Sequence, residues 1–141
     1  MSSRDISLYI VDIYIAIDKI SRFTCKIQNG AELLVHEMAW DACIRELEII
    51  GEATKILLNR GLLKSEYRRI VDFRNQISHG YFGIDEEIVW DVIAHKLPEY
   101  QAELVTIVSK EKIALLGAIE HAKAENEKNA QVLKFLEGLM K

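Results

Sequence analysis

Residues 6–20 read ISLYIVDIYIAIDKI, with apolar side chains at Ile6, Ile10, Ile13, Ile17 and Ile20. That alternation of four and three is the seam of an α-helix. A second stripe, Leu8, Val11 and Ile15, lies beside the first. A helix with two apolar faces must be covered from two sides. Its own bundle supplies one cover, and a second copy of the chain, in a homodimer, is expected to supply the other.

Outward from this helix, the composition supports the same class. The chain has 141 residues, 50% of them hydrophobic and 28% charged, with one proline and seven glycines. That suits one domain of long regular elements with an appendage, and argues against disorder. The expected class is all-α. Arg4, Asp5, Asp12 and Asp18 interrupt the N-terminal apolar run, so a signal peptide or membrane span is not expected there. A net charge of −4 and a pI near 5.6 exclude a protein that coats nucleic acid through a bulk positive field. Any RNA contact must be local. Cys25 and Cys43 have no CxxC spacing and no histidine at ligand distance, which predicts neither zinc nor a disulfide framework. Both are expected to be buried thiols in a soluble protein of the reducing cytoplasm.

Gln28, Asn29 and Gly30 form a turn, and a long second helix is predicted from Ala31 to Leu58. Its core side carries Cys43, Leu47, Ile50 and Leu57, while Asp41, Arg45, Glu48, Glu52 and Lys55 make a polar stripe. Such a stripe serves as a solvated face laced with ion pairs. It also offers Glu48 or Glu52 as a partner that orients a catalytic side chain. A di-metal carboxylate bundle is excluded because no Glu-x-x-His occurs, and no metal or cofactor is expected. After Asn59-Arg60-Gly61, Ser65 is the predicted N-cap of a third helix, Glu66 to Ser78. Asp85 is the predicted cap of a fourth, and Leu97-Pro98 restarts a fifth through Tyr100, Leu104, Ile107 and Val108. The expected architecture is an antiparallel bundle of four to five helices over residues 1–108. Residues 109–141 form a helical extension with apolar clusters at Ile113 to Ile119 and Val132 to Leu139. Those clusters suit core packing or a partner-binding arm.

The chemistry concentrates in residues 74–81, RNQISHGY. Arginine grips phosphate in a planar fork, and histidine takes and gives a proton near neutral pH. Near a helix end the same pair also serves as cap and dipole partner. On a continuous helix Arg74 and His79 would stand about 140° apart, so the helix must loosen or end between them for both to meet one phosphate. His79 would then move a proton and Arg74 would hold the charge of the transition state in RNA cleavage by the 2′-hydroxyl. Asn75 and Ser78 are supporting hydrogen-bonding groups. Arg68 and Arg69, in the basic run Arg60 to Arg74, offer an approach for the polyanion. One histidine supplies base or acid but not both, so a dimer apposing two copies would complete the chemistry. His36, His95 and His121 are taken as structural or solvated.

The spacing Arg74, His79, Tyr81, together with YIVDIYIAIDKI, LEIIGEA (47–53), HGYFGID (79–85), IVW (88–90) and LPEY (97–100), resembles the HepT toxins among the HEPN ribonucleases. The resemblance covers residues 5–108 and implies a dimerising HEPN-like bundle that cuts RNA without metal, with Arg74 and His79 catalytic. It also implies a partner, an MNT-type nucleotidyltransferase antitoxin that silences the toxin by attaching AMP to Tyr81. Two other classes fit the residues. One is a noncatalytic partner that presents a nucleotide or substrate to a nucleotidyltransferase. The other is a dimeric helical interaction module.

Overall fold

The structure, a computed structural model, describes residues 3–78 and 84–140, with the side chains of 6–77 and 84–140. The described chain is all-α. Helix α1 spans Ser3–Phe23, α2 Gly30–Val35, α3 Glu37–Asn59, α4 Arg68–Ser78, α5 Glu86–Asp91, α6 Leu97–Lys110, α7 Leu116–Glu125 and α8 Ala130–Leu139.

The first stripe of α1 enters the main core. Ile10, Ile13, Ile17 and Ile20 are buried there with Leu47, Ile50 and Leu57 of α3 and Leu97, Tyr100 and Leu104 of α6. Helix α1 packs chiefly on α3, and α3 in turn carries α4. Thr54 ties α3 to α6. Its hydroxyl lies 2.6 Å from the Ile50 carbonyl and 2.8 Å from the Tyr100 hydroxyl, and Tyr67 stacks on Tyr100 with ring centres 5.0 Å apart.

The second stripe of α1 is covered by the chain itself. Helices α7 and α8 fold back as a hairpin, and Ala118, Ile119, Ala122, Val132 and Leu136 bury Val11 with Leu8 and Ile15 alongside. Lys123 of α7 donates to Glu137 of α8 at 2.8 Å, and the Asn129 side chain caps α8 by accepting from the Val132 N–H. The extension therefore packs as core. The α1 face expected to meet a second subunit is filled in cis.

Three boundaries differ from the sequence expectation. The long second helix is two, because the chain turns at His36 (φ −86°, ψ 81°), whose N–H returns to the Glu32 and Leu33 carbonyls. The turn lets α2 lie on α5. There the Ala31 N–H donates to Glu87 Oε1 at 3.1 Å, and a Cβ on Gly30 would fall 2.7 Å from the Glu86 carbonyl carbon. A tertiary contact thus decides a break that no helix-breaking residue announces. Ser65 opens a 3₁₀ turn, Ser65–Tyr67, ahead of α4 instead of capping an α-helix. Asp85 does cap α5, accepting from the Glu87 N–H at 2.8 Å. Between α5 and α6 the helix widens into a π turn, Val92–Lys96, directly before Pro98, whose missing N–H interrupts the regular ladder.

The cysteines also separate. Cys43 is buried, and burial with Glu46 nearby pushes its thiol up to about 12, an inert group. Cys25 is exposed, which corrects the expectation of two buried thiols, because α1 ends at Phe23 and Cys25 sits in the turn beyond it. No described helix is long and apolar enough to cross a membrane.

Candidate active site

Arg74 projects from α4 onto α3 at Gly51. A Cβ on Gly51 would lie 2.5 Å from Arg74 Cγ, so only glycine admits this approach. Helix propensity alone disfavours glycine at a mid-helix position. Packing of the arginine stem explains it.

The guanidinium is partly committed. One terminal nitrogen pairs with Glu52, and the other donates to Asn75 Oδ1 at 3.0 Å. The buried Nε has no hydrogen-bond partner among the described residues. Arg74 stands in a groove of about 400 Å³, walled by Tyr9 and Asp12 of α1 and by Arg45, Glu48 and Glu52 of α3. Arg45, Glu48 and Glu52 share this wall because their spacings of three and four put them on one face of α3. Asp12 has its carboxyl pushed up to about 6, first by burial and then by Glu125, with His121 acting the other way.

The sequence-predicted residues fall into three groups. Arg74, Asn75, Glu48 and Glu52 come together, the last two in the groove wall. Arg68 and Arg69 do not line this groove. They lie in the first turn of α4, and Arg69 borders a separate cavity of about 150 Å³ with Tyr67 and Lys96. His79 and Tyr81 lie outside the described residues, as does the side chain of Ser78, the last residue of α4. The sequence reading did not name Tyr9 or Asp12 for the site, and it placed Arg45 only in a polar stripe. The available signal was Asp12 itself, a charge between two apolar stripes. His121, expected to be structural or solvated, is half exposed. It lies 3.2 Å from Glu125, and both are within electrostatic reach of Asp12. His95 pairs with Asp91 at 3.0 Å on the exposed side of the α5–α6 helix, and His36 is the turn residue described above.

A helical bundle with one arginine held by a carboxylate in an open groove is the class that fold and site define together. Comparison with known proteins narrows it. Residues 13–107 match the family described as Ribonuclease HepT-like. The chain is 33% identical over 107 residues to "Putative RNase MJ1380" of Methanocaldococcus jannaschii, covering 97% of that protein and 74% of this one. It is also 33% identical over 98 residues to "Probable ribonuclease HepT" of Thermococcus cleftensis, covering 88% of that protein and 67% of this chain. No solved structure matches. The chain belongs to the HepT-like ribonuclease family of HEPN proteins.

Proposed function

We propose that this protein is the toxin of a HepT/MNT-type toxin–antitoxin pair, an endoribonuclease that cuts RNA without a metal ion. The observation that carries the reading is Arg74, seated in a groove against Gly51 with its guanidinium held by Glu52 and Asn75. Family membership supports RNA as the substrate class. The catalytic unit is residues 1–108, with 109–141 as an added hairpin, and the protein acts in the cytoplasm.

In this reading a phosphodiester enters the groove and Arg74 exchanges part of its bond to Glu52 for the phosphate. The charge that grows on the phosphorane oxygens strengthens that contact, which is where transition-state stabilisation arises. Asn75 holds the guanidinium in plane, and Ser78 hydrogen-bonds a sugar or phosphate oxygen. His79 moves the proton of the attacking 2′-hydroxyl. Tyr81, two residues on, is the hydroxyl that the nucleotidyltransferase modifies with AMP. The added nucleotide would block and repel an incoming phosphate. A homodimer belongs to the proposal with its contact on a surface other than the second stripe of α1, since that stripe is covered.

The test is cleavage of RNA in excess chelator. Wild type should leave 2′,3′-cyclic phosphate ends, and Arg74→Ala and His79→Ala should each lose at least 10²-fold in rate. If His79→Ala cuts as fast as wild type, the reading fails. Coexpression with the nucleotidyltransferase should add AMP mass to a peptide containing Tyr81.

A further inference from the structure

We propose that the cavity of about 150 Å³ between the start of α4 and the start of α6 is a guanine-nucleotide site, filled by a residue of the RNA strand outside the Arg74 groove. Its place on the strand rests on the ribonuclease reading. The fit to a guanine nucleotide does not.

Two stretches of chain build the cavity. The 3₁₀ turn Ser65–Tyr67 and the first turn of α4 bring Glu66, Tyr67, Arg69 and Ile70 to one wall. Lys96, the last residue of the π turn, and Glu99, three residues on in α6, make the other. A π turn inserts an extra residue into a helix and is common at functional sites. Behind the first wall Tyr67 stacks on Tyr100, which is fully buried and lies 2.8 Å from the Thr54 hydroxyl, so the Tyr67 ring is held in place. Tyr100 covers one face of that ring, and surface it leaves uncovered borders the cavity.

The charges decide the ligand. Arg69 and Lys96 are matched around the cavity by Glu66 and Glu99, and no ion pair joins any of the four to another described residue. Cations alone would suit a bare phosphate. Two carboxylates beside them would repel it, so the ligand must carry hydrogen-bond donors as well as negative charge. The aromatic ring and Ile70 add a demand for a flat, partly apolar body. A nucleotide meets all three conditions, with its base on Tyr67, its phosphate on Arg69 and Lys96, and base donors on a glutamate. Among the four RNA bases, guanine alone offers a carboxylate two adjacent donors, N1–H and the 2-amino group. Adenine, cytosine and uracil each set an acceptor beside the donor, and a carboxylate repels it. The volume equals that of about five waters, which suits one base. Arg69 and Arg74 stand five residues apart on α4, about 7.5 Å along its axis and about 140° around it. The cavity is therefore a site apart from the groove, met by the same strand as it passes round α4.

The test uses the full-length protein in two arms. In the first, the four 5′-mononucleotides are titrated and followed by NMR. GMP should bind at least about tenfold more tightly than AMP, CMP or UMP. Two double variants change exposed side chains only, Glu66→Gln with Glu99→Gln and Arg69→Ala with Lys96→Ala. Each should weaken GMP by at least about tenfold, and the glutamine pair should also narrow its margin over AMP. Equal binding of the four nucleotides, or GMP binding that either variant leaves intact, overturns the site.

In the second arm, steady-state cleavage is measured on an RNA containing guanosines and on the same RNA with inosine in their place, which lacks the 2-amino donor. KM should rise about tenfold on the inosine substrate with kcat little affected, and the glutamine pair should shrink that difference. GMP bound as expected but equal KM on the two RNAs would overturn the placement on the strand and assign the cavity to the mononucleotide itself. A protein that binds GMP in this way and cuts neither RNA would overturn the ribonuclease reading and the strand placement with it, while the guanine-nucleotide site would stand.

Discussion

Replacing Gly51 with alanine tests the link between fold and site at a single atom. The added methyl would sit 2.5 Å from Arg74 Cγ and closer still to its Cβ. Carbon atoms rest at roughly 3.5 Å or more, so α4 must move away from α3 by about 1 Å. The clash falls on the root of the side chain, and a change of rotamer cannot relieve it. Overpacking of this kind costs about 1–3 kcal/mol, whereas alanine in place of glycine within a helix returns about 1 kcal/mol. Chemical denaturation should therefore show a net loss of about 0–2 kcal/mol. Activity should suffer more than stability. A displacement of about 1 Å at a positioned group costs about 10²-fold in rate, and Arg74 would lose its register with Glu52. Adding Arg74→Gly to Gly51→Ala removes the clashing stem and should relieve the overpacking, less about 1 kcal/mol for a glycine within α4, without recovering cleavage. A Gly51→Ala protein that is about 1 kcal/mol more stable than wild type and cuts RNA at the wild-type rate would refute the close approach.

Thr54→Val should cost roughly 1–3 kcal/mol by denaturant melts, because it strands the buried Tyr100 hydroxyl. Tyr100→Phe should cost less, since Thr54 keeps its bond to the Ile50 carbonyl. Ile119→Asp puts a charge under the hairpin, where Ile119 is 3% exposed. The hairpin should then detach, residues 116–139 should become protease-sensitive, and light scattering should show self-association through the bared Leu8, Val11 and Ile15. Asp12 gives a pH effect of defined sign. Its folded-state pKa is raised from 3.8 to about 6, so the native state holds the proton more tightly than the unfolded state. This contribution to stability is full below the unfolded value and is lost as pH rises through about 6. Asp12→Asn should remove the loss, by under about 1 kcal/mol because the carboxylate is partly solvated, and thermal melts at the two ends of this range will read it. Parallel pH profiles for wild type and Asp12→Asn would contradict the assignment.

Much of the molecule is legible in the order of its residues because helix packing is a local, periodic code. The stripes of α1, the core side of α3 at Cys43, Leu47, Ile50 and Leu57, and the Asp85 cap all follow from spacing and residue type. So do the arginine at the head of RNQISHGY and the carboxylate stripe from which Glu52 reaches it. The break at His36 is not legible, because it answers to α5, which lies more than fifty residues later. Cys25 was misplaced for a similar reason. Two residues past the true end of α1 the chain has already turned, and Cys25 faces water.

The sequence by itself determined an all-α chain, the two-faced first helix and the family, since apolar periodicity and short motifs need no knowledge of distant contacts. Only the tertiary structure decided what covers the second face of α1. An apolar stripe demands burial but cannot name its partner, and here the partner is the chain's own C-terminal hairpin. The same docking brings His121 and Glu125 near Asp12 across more than a hundred residues of sequence. Tertiary packing also made Gly51 the seat of Arg74, because a missing side chain acquires meaning only from the atom that fills its place.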